Sequence, residues 1–535
     1  MNDRRPEVIA LSHLGEWLID HRRRVGILTL VITALLAVPA FRVGMTTRFD
    51  DLLPYRHPFV KVHQQWAAQF GGANNLTILV EAKEGTIFTR ASLAKIFQIT
   101  EAVDRLPGVN HDQIDSIAHR SARYLKMQGG VMTMPVVMFG PPPTEWHVEE
   151  IRSIVHHAEN LHGILVSLDD RAALIRANFH EGAVDYEKLF DLVNERIVTP
   201  YADEETDVWV AGEPRLYGWV YHHTGEILWI FGGAVVLLWI LLLLYFHDWR
   251  GALRPTLTAV VSAIWGLGAI GLLGFPLDPL AMVIPFFATA RALSHSVQMH
   301  DRYYEEYRRT GWNQRAAIVA AFAELFVPTL SGIATDALGM LVLVLVPIVL
   351  MQRIAIWSSI WVSSVIVSEL VLNPIIYSVL APPDRERVVA RERGIFQRLV
   401  NSWAVSVVQP RVRRAIFGAW LVVFALAASQ WRHLTVGDPT AASPVLFEDS
   451  PYNRAHLRVQ HFFGGVEPLI VVVAGREKEI LNDPEVVEAM EALQTHVGED
   501  PDIGYSISLA DVVKATQMIY YDLEPRQGVI PARRG

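Results

Sequence analysis

Six polar residues stand in stretches that are otherwise apolar, and their spacing is the first chemical signal in the chain. Arg291, Ser294, His295 and Gln298 follow one another at i, i+3, i+4 and i+7, which places all four on one face of a helix. Asp336 lies in SGIATDALGM and Glu369 in VSELVLNP. Carboxylates, an imidazole and a guanidinium in such settings can hold, pass on or neutralise a proton. A charged side chain deep in a membrane span costs at least about 2.5 kcal/mol and is rarely left facing lipid, so the stripe is expected to look into a helical bundle. At about 1.5 Å per residue from the cytoplasmic ends of the spans, Arg291 is roughly 15 Å deep, Asp336 roughly 20 Å and Glu369 roughly 13 Å, close enough to meet. Two readings follow. The cluster is a relay in which Glu369 and His295 exchange the mobile proton, or Arg291 and Asp336 form a permanent ion pair that orients two helices. An arginine beside Asp336 would keep that carboxylate charged, which leaves Glu369 and His295 as the stronger candidates for proton exchange.

The rest of the chain has to supply that bundle. Of 535 residues, 51% are hydrophobic and only 19% charged, a balance of a membrane protein rather than a soluble one. The net charge of -9 and the absence of cysteine give no nucleic-acid-binding surface, disulfide scaffold, thiolate metal site or cysteine nucleophile. Apolar runs predict seven spans, near 25-43, 227-246, 255-274, 280-300, 322-345, 354-380 and 413-431. The first follows basic residues without a small-residue cleavage site, so it reads as a retained helix. Arginines gather in alternate connections: Arg22, Arg23 and Arg24; Arg250 and Arg254; Arg302, Arg308, Arg309 and Arg315; then Arg385, Arg387, Arg391, Arg393, Arg398 and Arg411. The positive-inside rule puts these on the cytoplasmic side. Segments 44-224 and 432-535 are then extracytoplasmic. In the first of these, LTILVEA (76-82) and GILVSLD (163-169) read as strands, ASLAKIFQITEAVDRL (91-106) as a helix and PVVMFGPPPTEWH (135-147) as a loop.

The two outer segments resemble each other. HPFVKVHQQWAAQFGGANNLTILVEA (57-82) aligns at a constant offset of 393 with SPYNRAHLRVQHFFGGVEPLIVVVAG (450-475), pairing Pro58 with Pro451, His63 with His456, and Phe70-Gly71-Gly72 with Phe463-Gly464-Gly465. The same offset lays the first span on the seventh. A duplication of one span, an outer domain and a bundle is expected, its second copy incomplete.

With the FDDLLP segment (Phe49 to Pro54) ahead of the first FGG, this arrangement resembles the resistance-nodulation-division (RND) superfamily, and most closely its MmpL-like, hydrophobe-exporting branch with a bundle related to sterol-sensing domains. The resemblance covers essentially the whole chain. It implies a polytopic α-helical membrane protein with α/β extracytoplasmic porter domains: a cytoplasmic segment 1-24, a first membrane helix 25-43, a periplasmic porter domain 44-224, a five-helix bundle 225-380, a basic cytoplasmic connection 381-412, a seventh helix 413-431 and a truncated second porter domain 432-535. It further implies a secondary active transporter of a bacterial inner membrane rather than an enzyme. Such a transporter exports hydrophobic or lipid-like substrates on the proton gradient, needs no cofactor, self-associates and engages a periplasmic or outer-membrane partner. In that family the fourth span commonly carries a Gly-x-Asp-Tyr aspartate; alignment on the Ser-Val-x-x-x-x-Arg-Tyr tail places Ser294 and His295 there instead. A non-transporting, sterol-sensing-like lipid-binding protein and a fragment of a longer transporter are the alternatives.

Other motifs carry less. GLGAIG (266-271) matches a dinucleotide fingerprint but lies within an apolar span without a preceding strand, so Gly266, Gly268 and Gly271 are expected to serve close helix packing. His156, His157 and His162 have no acidic partner at a diagnostic spacing and read as a solvated helix or loop, with no metal. No phosphate-cradling loop is present.

Overall fold

The computed structural model describes residues 6-44, 49-70, 74-124, 126-128, 131-158, 160-180, 182-246, 248-392, 395-434, 442-466, 468-475, 479-500, 503-521 and 524-532. Gly71 and Gly72 of the first FGG lie outside them. The chain divides into two compact units, one of residues 1-60 and 224-435, the other of residues 61-223 and 436-535. It opens with helices α1 (Pro6–Asp20) and α2 (Arg22–Ala40) of the first unit.

The second unit begins in α3 (Pro58–Phe70) and continues through β1 (Asn75–Ala82), α4 (Arg90–Asp104), β2 (Val109–Asp115), α5 (Glu145–His157), β3 (Ala172–Phe179) and β4 (Thr206–Ala211). The strands form an antiparallel sheet in the order β2-β3-β1-β4. Register is set by Asn75 opposite Asn178 on one side of β1 and Thr77 opposite Ala211 on the other. Strand β1 is central and buried on both faces, which is why LTILVEA is almost continuously apolar. Leu76, Ile78 and Val80 face Ile96, Ile99 and Val103 of α4 and Val155 of α5. Thr89 caps α4 by accepting from the Ser92 amide. Lys95 of the same helix reaches Asp203 at 2.6 Å and holds that carboxyl well below its usual range. The helix expected at 91-106 is therefore α4, whereas the strand expected at 163-169 is displaced. That stretch is a turn bounded by Gly163 and Asp170, both at positive φ, and the strand forms at Ala172–Phe179, where pairing with β1 is available.

The helical unit adds α6 (Thr224–Phe246), α7 (Trp249–Leu273), α8 (Val283–Arg309), α9 (Gln314–Leu341), α10 (Val349–Val367), α11 (Asn373–Val379) and α12 (Pro410–Gln430). Among the described residues six helices are long and apolar enough to cross a membrane: 22-40, 213-246, 249-273, 314-345, 349-379 and 410-433. The span expected at 280-300 is the helix α8, whose polar residues keep it below that apolarity. It packs against α7, α9 and α10, so much of its surface meets protein. The Phe49–Pro54 segment is fastened to the start of α10: Asp51 pairs with Arg353, Pro54 bridges Ile348, and the Tyr55 amide donates to the Pro347 carbonyl.

The last part of the chain returns to the α/β unit with α13 (Pro451–Phe463) and α14 (Pro484–Gly498). Helix α13 starts and ends 393 residues after α3, and α14 starts and ends 394 after α4, so the repeat read in the sequence is also a repeat of helices. Ala455, Val459 and Phe463 of α13 cover the free face of the sheet at Leu79, Leu174 and Ala211. Glu81, buried on that face, accepts from Trp209 Nε1 at 3.0 Å and lies 3.6 Å from Arg458 of α13. The counterpart of β1, Leu469–Gly475, forms no strand; Leu469 and Val471 are exposed. A strand needs a paired neighbour, and β1 has one on each side.

Glycines let α7 come close to its neighbours, as the GLGAIG run leads one to expect. A Cβ at Gly268 would stand 2.6 Å from the Leu36 carbonyl oxygen, one at Gly271 2.3 Å from that of Pro39, and one at Gly266 2.2 Å from the Trp361 ring. Replacing Gly268 or Gly271 by leucine should lower the melting temperature of the detergent-solubilised protein, because overpacking against backbone costs roughly 1–3 kcal/mol. Gly233→Leu, with nothing within 4 Å of its Cβ, should be neutral or slightly stabilising through helix propensity. Equal melting temperatures for all three would show that the α2/α7 seam is not tight.

Candidate functional site

Two polar groupings lie in the helical unit. The first contains the residues of the 291-298 stripe. Arg291 donates through Nε to Asp336 of α9, with both side chains partly exposed. His295 is buried beside this pair: a Cβ on Gly332 would touch both its ring and the Arg291 guanidinium. Neither His295 ring nitrogen has a hydrogen-bond partner among the described residues. Ser294 and Gln298 do not look into the bundle; both are exposed on the outer side of α8. The stripe therefore splits. Its i, i+4 members Arg291 and His295 turn inward, while the i+3 and i+7 members are carried outward because the contact face of α8 centres on Ala288, Ala292, Ser296 and His300.

The second grouping is deeper and surrounds Glu369. Here α10 passes into a π-helical turn, Ser368–Leu372, before resuming as α11. The Asn373 amide reaches five residues back to the Ser368 carbonyl. Pro374 follows directly and has no N–H to give, which removes one α-type bond and favours the wider turn. The turn carries Glu369 inward, where it is 3% exposed. Asn373 Nδ2 donates to Glu369 Oε2 at 2.9 Å and lies 3.2 Å from Ser296 Oγ of α8. Ser296 is in turn 3.4 Å from Thr258 Oγ1 of α7. The Thr258 and Ser296 hydroxyls both stand near the carboxylate, but Glu369 Oε1 has no hydrogen bond of normal geometry among the described residues.

The network extends in both directions along α7. One turn further, Ser262 Oγ meets Ser364 Oγ of α10 at 2.9 Å. One turn back, Arg254 is fully buried, its guanidinium 4.4 Å from the Tyr377 ring centre and 5.8 Å from that of Tyr303. None of its three nitrogens makes a hydrogen bond among the described residues. A desolvated cation over an aromatic face gains about 2 kcal/mol, well short of the several kcal/mol that an ion loses on leaving water. The Tyr377 hydroxyl is 2.7 Å from His300 Nδ1. Arg254, Thr258 and Ser262 are spaced i, i+4 and i+8, and with Ser296, His300, Ser364, Glu369, Asn373 and Tyr377 they make a continuous polar seam between α7, α8 and the α10–α11 segment.

The structure thus brings Arg291, His295 and Asp336 together and places Glu369 in a separate network; no hydrogen bond or ion pair among the described residues joins the two. Sequence reading missed Arg254, Thr258, Ser296, Asn373 and Tyr377. Its place near Arg250 groups Arg254 with a basic connection, yet Asp248 caps α7 by accepting from the Arg250 amide, and an aspartate before Trp-Arg-Gly is a start signal that puts Arg254 inside the helix. The i, i+4, i+8 spacing of Arg, Thr and Ser was the second available signal.

The chain is 24% identical over 358 residues to the protein MJ1562 of Methanocaldococcus jannaschii, which bears a provisional description as a membrane protein; the match covers 65% of this chain and 88% of that protein. No family model matches the chain. Together with the six apolar helices, the match supports a mostly helical membrane protein that carries a small sheet.

For the Arg291–Asp336 pair, a double-mutant cycle with Arg291→Met and Asp336→Leu should give a favourable coupling of about 0.5–3 kcal/mol, measured by thermal unfolding in detergent. Either single substitution should destabilise more than the double, since each leaves one charge without its partner. Additive effects would mean that the pair does not hold α8 to α9.

Proposed function

We propose that this protein is a secondary active transporter of the resistance-nodulation-division type, which exports a hydrophobic or lipid-like substrate and takes its energy from protons handled at Glu369. The observation that carries the reading is a carboxylate held inside a membrane helical unit on a π-helical turn, with one oxygen bonded to Asn373 and the other without a hydrogen bond among the described residues. Ionisable residues inside membrane bundles mark ion and proton pathways, and single π turns recur at functional positions because they free backbone groups and can revert to α-helix. A proton on Oε1 would give Glu369 a hydrogen to donate toward the Thr258 and Ser296 hydroxyls. Loss of that proton would leave a negative charge in a seam that also contains Arg254. Each state favours a different spacing of α7, α8 and α10, which is how protonation can move helices. The repeat of α3 and α4 in α13 and α14 supports the resemblance on which the transport class rests. A bacterial inner membrane, porter domains outside it and self-association belong to the same proposal. So does an envelope partner.

Reconstitution into proteoliposomes with an imposed pH gradient and fluorescent lipid or hydrophobic probes tests this directly. Wild type should couple probe movement to proton flux, and Glu369→Gln, which keeps the Asn373 contact but cannot ionise, should lose at least about tenfold of it. Ser294→Ala and Gln298→Ala should transport normally. Full coupling in Glu369→Gln at equal protein abundance would remove Glu369 from the mechanism, and movement of no probe by the wild type would count against transport itself.

A further inference from the structure

His156, His162 and Asp170 meet in the α/β unit, at a spacing that matches no diagnostic metal motif. Their ligand atoms all lie within 4.8 Å of one another. His156 Nε2 is 2.8 Å and His162 Nε2 3.6 Å from the same oxygen, Asp170 Oδ1. The two rings are 4.6 Å apart, and Phe88 packs edge-on against His156. The acidic partner that the histidine run lacks in sequence is supplied by the turn before β3.

That turn holds its aspartate with unusual firmness. Asp170 has φ 60°, a left-handed conformation in which glycine would be under no strain. Its amide donates to the Ser167 carbonyl, and its own carbonyl accepts from the Ile87 amide and the Thr86 hydroxyl. Arg152, one helical turn before His156 on α5, donates to the other carboxylate oxygen, Oδ2, at 3.0 Å. Backbone and guanidinium together fix the carboxylate so that Oδ1 points at both imidazoles. Among the described residues His162 Nε2 is buried and makes no hydrogen bond, although it lies 3.6 Å from Asp170 Oδ1 within the cluster. A solvated pair of histidines needs none of this.

We infer that His156, His162 and Asp170 form a site for a divalent transition-metal ion, with Zn²⁺ the best match. Two neutral imidazoles and one carboxylate are ligands of the type zinc prefers. Bonds of about 2.0–2.1 Å in a tetrahedron set donor atoms about 3.3 Å apart, within the range the three atoms already span. Small rotations of the two rings complete the fit. The charge of the carboxylate offsets part of that of the ion, Arg152 acts from outside to orient Asp170, and the partial exposure of both histidines leaves a fourth position open to water or to a ligand from another molecule. His157 is outside the site: it is exposed, and its Nδ1 lies 2.6 Å from the Ser153 carbonyl.

Titration of the metal-stripped full-length protein in detergent with Zn²⁺, by calorimetry, and with Co²⁺, by visible absorption, tests the assignment. One equivalent per chain should bind, with the Co²⁺ absorption of a low-coordinate nitrogen–oxygen site. His162→Ala and His156→Ala should each weaken binding at least about tenfold, while His157→Ala should not change it. Circular dichroism and elution volume establish that the variants are folded; Gln in place of either His is the substitute if an alanine variant is not. Absence of saturable stoichiometric binding would overturn the assignment. So would binding that persists in a folded variant lacking both His156 and His162, which would locate the metal elsewhere.

Discussion

Burial of Glu369 is the constraint around which the helical unit is organised. A carboxylate taken out of contact with both water and lipid must find its partners within the protein; Asn373 bonds Glu369 directly, and Ser296 and Thr258 extend that bond into the other two segments that enclose it. The need to bring those segments together accounts for the features around them. Ser262 and Ser364 join α7 to α10 one turn away, and Gly266, Gly268 and Gly271 remove the side chains that would hold α7 off its neighbours. Arg254 extends the seam at its other end under the rings of Tyr377 and Tyr303. The same demand explains why α8, the most polar of the long helices in the unit, is packed against three others.

Much of this organisation was legible from composition and periodicity because it follows from length and hydropathy. Six of the seven expected spans coincide with helices apolar enough to cross a membrane, and the remaining one, 280-300, forms as α8. The 393-residue repeat was legible because duplicated helices keep their length and flanking residues: Pro58 recurs as Pro451 and the FGG sequence recurs at the end of α13. What the sequence could not supply was the direction of each face. Arg291, Ser294, His295 and Gln298 share about a third of the circumference of α8, and only the neighbours α7 and α9 decide where the boundary falls. It falls between Gln298 and Arg291. A pattern of polar residues on one helix says little when the inward face is itself polar at Ser296 and His300.

The histidines of the α/β unit show the complementary failure. His156 and His162 are local in sequence, but Asp170 reaches them only because the chain turns sharply at positive φ before β3. The displaced strand and the overlooked carboxylate have one cause. Reading 163-169 as extended puts Asp170 at the end of a strand, whereas the turn folds it back over the end of α5. Apolar content identified GILVSLD as buried, and burial in a turn is compatible with the same composition.

Proton-coupled transport through this bundle requires Glu369 to change its protonation state during the cycle. Infrared difference spectroscopy on the reconstituted protein, wild type against Glu369→Gln, measures this most directly, with the spectrum recorded across a pH step and again on addition of a transported probe. A carboxyl C=O band that responds to both and is absent from the Glu369→Gln protein is the predicted result. A wild-type spectrum with no carboxyl band that depends on Glu369 under either condition would contradict the account and leave Glu369 as a structural member of the seam.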